Sequence, residues 1–174
     1  MKRHVVLIGL PGAGKTSVGR LLAERLHAPF IDIDAVIVRK MQKPITRIFG
    51  EDGEQVFRKL EAEAMNAALA GPPIVIAAGG GWAAQPGALE AARASAFFIY
   101  LRTMALTAAK RAGSTGTRPL LVGEDPVEQM RLLLKERDPY YVQADCEVKA
   151  DVKPASALAD EMLLLVRERA GWSS

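Results

Sequence analysis

The chain has 174 residues, of which 49% are apolar and 25% charged, with a net charge of +3. One domain of this length can bury a core covering roughly 70% of its unfolded surface, so disorder and collagen-like repetition are excluded. A single cysteine, Cys146, excludes an intrachain disulfide, and with two histidines beside it a His/Cys metal site is not expected. Cys146 is expected to serve as a small buried hydrophobe.

In chain order, residues 4–8 form an apolar run that reads as a buried strand. Val18, Leu21, Leu22 and Leu26 follow at helical spacing. Residues 30–34 alternate, with Ile31 and Ile33 on one face and Asp32 and Asp34 on the other, which predicts a strand ending in carboxylates. A helix from about residue 35 is expected to end by Pro44, and a second is expected over 54–70, closed by Gly71 and Pro72. Residues 74–78 read as a buried strand running into Gly79-Gly80-Gly81. Helix over 88–94, strand over 96–101 and helix over 103–112 complete the next units, before a loop over 113–123. Asp125, Pro126 and Glu128 form a strong helix start, with Pro139 expected to stop that helix near Arg137. A strand over 146–149 and an amphipathic helix carrying Leu158, Met162, Leu165 and Val166 end the chain.

Alternating strands and helices predict an α/β fold, a central five-stranded parallel sheet in a three-layer α/β/α arrangement. Ligands in such folds lie beyond the carboxyl ends of the strands. The uncharged stretch 70–89 is long enough to cross a membrane, but its three prolines and five glycines rule out one continuous lipid-facing helix. Residues 1–14 open with basic residues and an apolar run, yet Lys15 closes the run with no small-residue cleavage site before it, so no leader is expected.

Gly9-Leu10-Pro11-Gly12-Ala13-Gly14-Lys15-Thr16 fits G-x-x-x-x-G-K-[ST], after a strand and before a helix. Such a loop curls its backbone N–H groups around phosphate, with the helix N-terminus adding partial positive charge. The lysine reaches the outer phosphates and the threonine hydroxyl serves Mg²⁺. Gly12, Ala13, Gly14, Lys15, Thr16 and Ser17 are therefore the expected nucleotide-phosphate contacts. The strand over 74–78 runs into glycines rather than an acidic residue, which disfavours an ATPase motor. The chain's one asparagine, Asn66, precedes Ala67, so no guanine-reading Asn-Lys-x-Asp exists. A small P-loop kinase remains.

Asp32 and Asp34 stand where Mg²⁺ positioning and acceptance of a hydroxyl proton are needed, unless they are a solvated loop pair. Arg58, with Glu54 and Glu61 at i−4 and i+3, reads either as a surface ion-pair ladder or as an anion fork. Arg137 in a last helical turn and Arg118 in a glycine-flanked loop are each weak alone. Their positions after separate strands make convergence on one anion the more coherent reading. Gly79-Gly80-Gly81 signals either close backbone approach to a ligand or a tight turn, and Trp82 packs on the sheet or lines the pocket.

These residues together resemble the shikimate kinase family of the nucleoside-monophosphate-kinase structural group. The resemblance rests on the P-loop, Asp32-Ile33-Asp34, Ile48-Phe49, Gly53-Glu54-Gln55-Val56-Phe57-Arg58-Lys59-Leu60-Glu61, the triple glycine, Arg118-Pro119-Leu120-Leu121 and Arg137-Asp138-Pro139-Tyr140-Tyr141. It implies phosphoryl transfer from ATP, with Mg²⁺, to the 3-hydroxyl of shikimate. By the same resemblance Asp34, Gly79, Gly80 and Gly81 contact shikimate hydroxyls, Arg58 and Arg137 hold its carboxylate, Phe49 and Phe57 line the pocket, and Glu61 belongs to the substrate set. Lys15, Asp34 and Arg118 become the catalytic residues, Thr16 and Asp32 the metal-side residues, and Arg111 and Pro154 the flanks of adenine. The bulk of Trp82 departs from the small residue expected there.

The expected organisation is one kinase domain over 1–174, with an acceptor-binding helical segment over 33–61 and a mobile lid over 112–124. The protein is expected to act as a cytoplasmic monomer, without nucleic-acid or membrane partners. A kinase for another small hydroxy acid such as gluconate, or a non-catalytic nucleotide-binding module, are the competing readings.

Overall fold

The computed structural model describes residues 1–115 and 125–173. Five strands form one sheet: β1 (His4–Ile8), β2 (Phe30–Asp32), β3 (Val75–Ala77), β4 (Ala96–Arg102) and β5 (Cys146–Lys149). Their spatial order is β2-β3-β1-β4-β5, and every pair is parallel. The helices are α1 (Lys15–Arg25), α2 (Ile33–Met41), α3 (Ile45–Arg47), α4 (Glu54–Ala70), α5 (Ala88–Ala92), α6 (Ala105–Thr115), α7 (Pro126–Tyr141) and α8 (Ala155–Arg169). A π-helical turn, Ile48–Asp52, connects α3 to α4.

The period of two along each strand divides the core between the two faces of the sheet. Val5, Leu7, Val75, Phe97 and Ile99 face α1 and α8, where Val18, Leu22, Leu158, Met162 and Val166 complete one cluster. Val6, Ile8, Ile76, Phe98 and Tyr100 face the other way, against Ile37, Met65, Leu89, Ala108 and Met130. With both faces covered, β1 is buried throughout, which is why it reads as an unbroken apolar run. Among the described residues no helix is long and apolar enough to cross a membrane.

Several boundaries differ from the sequence expectation. β2 stops at Asp32, because the Asp32 carboxylate accepts the Ala35 N–H at 3.1 Å and caps α2. Ile33 and Ile37 are then an i, i+4 pair on the buried face of a helix, and Asp34 lies in that helix's first turn rather than in a strand. Helix α7 does not end before Pro139 but carries it to Tyr141. An interior proline costs about 3 kcal/mol, and Tyr141, fully buried just beyond it, supplies apolar burial that opposes the cost. Helix α6 starts at Ala105 and passes through Gly113 to Thr115, into the expected lid. Cys146 is only half-buried on the edge strand, where burial pushes its thiol up to about 11.

Candidate active site

The central strand β1 delivers the P-loop to the point where the chain crosses from one side of the sheet to the other. Gly12 has φ +82, and its α-carbon lies so close to α6 that an added Cβ would stand 3.0 Å from the Ala112 nitrogen. Only glycine supplies both the left-handed backbone and that approach. Gly14, also left-handed, N-caps α1, whose first turn carries no acidic residue. Ala13 is buried beneath the loop and Ser17 is exposed. The Lys15 ammonium crosses the loop and donates to the carbonyls of Gly9 at 2.7 Å and Leu10 at 2.9 Å. The residue is 8% exposed, so its charge is held within the curl of the loop.

Thr16 donates its hydroxyl hydrogen to Asp32 Oδ2, joining α1 to the end of β2. A hydroxyl and a carboxylate are hard oxygen donors, and a Mg²⁺ site built from one or two such groups plus phosphate and water fits them. No cluster of three or more His, Cys, Asp or Glu suited to a metal occurs among the described residues, so no all-protein cage competes with that arrangement. Arg111 on α6 reaches the Ala13 carbonyl at 3.4 Å and the Asp151 carbonyl at 3.5 Å, tying the P-loop to the β5–α8 connection. Pro154, exposed, begins α8 at the end of that connection.

The acceptor side is organised by the triple glycine beyond β3. An added Cβ on Gly79 would run into the Glu61 carboxylate and stand 3.3 Å from Asp34 Oδ1. On Gly80 it would stand 3.1 Å from Arg137 Nη1 and 3.0 Å from Pro11 Cδ, and on Gly81 2.6 Å from Arg58 Cζ. Four charged side chains from α2, α4 and α7 therefore converge on a strip of backbone that has no side chains. Pro11 brings the P-loop against the same strip, so the phosphate and acceptor sides adjoin. The carbonyls of the strip turn to protein donors: Gly79 accepts from Trp82 N at 3.1 Å, Gly80 from the Tyr141 hydroxyl, and Gly81 from Ala84 N at 3.2 Å and Gln85 Nε2 at 3.1 Å.

Arg58 donates to Glu61 Oε1 at 3.0 Å and to Glu54 Oε1 at 3.4 Å. The surface-ladder reading of this helix fails at Glu61, which is 1% exposed. Burial pushes the Glu61 carboxyl above its ordinary range, and nearby Asp34 pushes it the same way, while Arg58 and Arg137 oppose the shift. Glu61 Oε2 and Arg58 Nε are buried and have no hydrogen-bond partner. Buried polar atoms left unmatched are costly, and here both lie beside the triple glycine. Arg137 is 5% exposed. Phe57 is buried and its ring lies 4.8 Å from that of Phe49, which the π-helical turn carries. Trp82 packs on the sheet, 5% exposed with its ring 6.1 Å from Phe98, and also lines a pocket with Arg58 and Gln85, so the two readings of its sequence position hold together.

The expected residues thus fall into two adjoining groups. The phosphate group comprises Gly12 to Ser17 with Asp32 and Arg111, and Pro154 lies at the rim. The acceptor group comprises Asp34, Arg58, Glu61, Gly79, Gly80, Gly81 and Arg137, with the Phe49–Phe57 pair beside Arg58, whose guanidinium lies 5.5 Å from the Phe57 ring. Arg118 and the lid over 116–124 lie outside the described residues. Sequence reading missed Tyr141, Pro11 and Gln85 as parts of the site. Tyr141 is one helical turn from Arg137, a signal that the expected stop at Pro139 concealed.

The family model for shikimate kinase matches residues 11–167. A shikimate kinase of Mycobacterium avium is 44% identical over 144 residues, 83% of this chain and 81% of that protein. The structure of shikimate kinase from Acinetobacter baumannii in complex with shikimate superposes with a TM-score of 0.91 at 36% identity, covering 97% of this chain and 94% of that one. A gluconokinase from Sinorhizobium meliloti shares the fold at a TM-score of 0.66 and 22% identity, over 98% of this chain and 94% of that one. With the family model spanning most of its length and these relatives covering most of theirs, this chain belongs to the shikimate kinase family.

Proposed function

We propose that this protein transfers the γ-phosphoryl group of ATP to the 3-hydroxyl of shikimate, giving ADP and shikimate 3-phosphate. The observation that carries the reading is the convergence of Arg58, Arg137, Glu61 and Asp34 on the triple glycine, directly against the P-loop through Pro11. A small polyol with one carboxylate needs guanidinium forks for its acid and oxygen acceptors for its hydroxyls, and both are present. Arg58 and Arg137 hold the carboxylate. Asp34 orients the reacting hydroxyl and takes its proton, and the unpartnered Glu61 Oε2 accepts from the substrate side. Phe49 and Phe57 supply an apolar wall.

On the other side the P-loop amides and Lys15 bind the phosphates, and Thr16 with Asp32 holds Mg²⁺. When bound, that ion would neutralise negative charge on the phosphoryl oxygens. Phosphoryl transfer through a loose transition state asks for alignment and charge neutralisation, which fixed positive groups provide without reorganisation. Family resemblance supports Arg118 as a further positive group at the transferring phosphoryl. Residues 33–61 carry most of the acceptor side within one kinase unit.

The test is ADP release by the purified protein with Mg-ATP and either shikimate, quinate, gluconate or no acceptor. Release that depends on shikimate is the expected result. Release with gluconate instead would keep the phosphate side and overturn the acceptor assignment. Saturable ATP binding without acceptor-dependent release would favour a nucleotide-binding module.

A further inference from the structure

Tyr141 is fully buried and ends the face of α7 that carries Arg137 four residues earlier. Its hydroxyl donates to the Gly80 carbonyl in the middle of the triple glycine. The Arg137 guanidinium is a neighbouring charge to the same hydroxyl, and its Nη1 stands 3.1 Å from the place a Cβ on Gly80 would occupy. The ring is held from behind by Tyr100, with centroids 5.1 Å apart, and the Tyr100 hydroxyl donates to Asp138 Oδ1 at 2.9 Å. One phenol hydroxyl therefore holds the backbone peptide against which the Arg137 guanidinium stands.

Burial pushes the Tyr141 hydroxyl up to about 12, against the pull of Arg137, so it stays protonated and keeps its donor role at physiological pH. In a trans peptide the C=O and N–H point in opposite directions. Holding the Gly80 carbonyl to Tyr141 consequently sets the direction of the Gly81 N–H. An alanine or phenylalanine at 141 would leave a buried carbonyl unmatched beside Arg137.

We propose that Tyr141 is a positioning residue for the acceptor: its hydroxyl fixes the Gly80–Gly81 peptide beside the Arg137 guanidinium, so that the carboxylate fork and the hydroxyl cradle stand in fixed register. It touches neither reactant. This inference rests on the assignment of the triple glycine and Arg137 to the acceptor side.

The experiment compares steady-state kinetics of wild type, Tyr141→Phe and Tyr100→Phe, varying shikimate and ATP separately, with thermal unfolding of each. Tyr141→Phe is expected to raise the shikimate KM about tenfold or more and to leave the ATP KM within about twofold. Tyr100→Phe deletes a hydroxyl from the same aromatic pair without touching the cradle, and is expected to leave the shikimate KM within about twofold. If Tyr141→Phe fails to fold, 4-fluorophenylalanine at position 141 fills the volume of the hydroxyl without its proton and takes its place. A shikimate KM that stays near wild type in the Tyr141 variant overturns the proposal. So does a parallel rise in both KM values, which would mark a general structural defect. If the wild type releases ADP with a different hydroxy acid, the shikimate reading fails, and the same comparison is made with that acid.

Discussion

Arg58 and Glu61, one turn apart on α4, are joined by a 3.0 Å hydrogen bond that faces the triple glycine rather than solvent. The pair is asymmetric. Glu61 uses one carboxylate oxygen on Arg58 and leaves the other, Oε2, buried without a partner, and Arg58 leaves Nε in the same condition. A pair serving only the fold would be expected to satisfy both atoms, since burying charge without full hydrogen bonding is destabilising. Glu61 Oε2 stands against Gly79 and the Arg58 guanidinium against Gly81, on the strip proposed above to take the acceptor.

Replacing Arg58 by lysine keeps the charge and removes the planar fork. A carboxylate held in bidentate fashion loses one of two charge-assisted hydrogen bonds, worth roughly 1.5–3 kcal/mol. Arg58→Lys is therefore expected to raise the shikimate KM by about tenfold to a hundredfold, with the ATP KM unmoved. Steady-state titration of each substrate checks this, and an unchanged shikimate KM removes Arg58 from the carboxylate site.

The glycines are expected to separate into two kinds. A Cβ on Gly81 meets the end of the Arg58 side chain, 2.6 Å from Cζ, and a side chain can swing away. Gly81→Ala should thus fold with a loss of about 1 kcal/mol or less and lose acceptor affinity, because Arg58 is displaced. A Cβ on Gly12 meets the backbone of α6 at a φ of +82, and neither can yield. Gly12→Ala should cost roughly 1–3 kcal/mol of stability and weaken ATP binding. Thermal unfolding with nucleotide and acceptor titration reads both, and equal stability losses in the two variants would contradict the distinction.

Asp34 lies in the first turn of α2 with Oδ1 near Gly79. Asp34→Asn conserves shape and removes the proton acceptor. Turnover should fall by about 10²–10⁴, the range of general acid–base contributions, while ATP still saturates the protein. Near-normal turnover would show that Asp34 is neither base nor essential positioner.

The buried Glu61 gives a pH signature with a definite sign. Its folded pKa is raised above the unfolded value, chiefly by burial. The native state therefore holds its proton to higher pH than the unfolded chain does, and stability falls as pH rises from the ordinary carboxylate range through the folded value. Glu61→Gln lacks this proton linkage. The unfolding midpoint of the variant relative to wild type should climb from about pH 4 towards neutrality, and a gap that is flat or narrows would refute the assigned shift. At neutral pH the same variant should bind shikimate more weakly, since the amide replaces the charged partner of Arg58.

The amino-acid sequence by itself determined the sheet, its parallel sense and the phosphate side. These follow from local signals: a buried strand is a run of apolar residues, and a P-loop is a short contiguous curl whose glycines, lysine and threonine are fixed by spacing. The same locality explains the errors. The alternation over 30–34 satisfies both a strand and a capped helix start, and only the Asp32–Ala35 contact and the burial of Ile37 decide for the helix. Pro139 is a helix breaker in isolation, yet the helix runs past it to the buried Tyr141.

Tertiary structure alone decided where the charged residues expected on the acceptor side stand. Arg58, Glu61 and Arg137 are individually indistinguishable from surface charges, because a helix exposes three faces and the sequence does not say which one meets a neighbour. The fold of α4 and α7 places all three on Gly79–Gly81, buries Glu61 and Arg137, and leaves Glu61 Oε2 and Arg58 Nε unmatched. The triple glycine is then explained by what a Cβ would strike. Tyr141 belongs to the stretch that carries the family resemblance, but its contact could not be read there: the carbonyl it holds is 61 positions away in the chain, and only the folded core brings the two together.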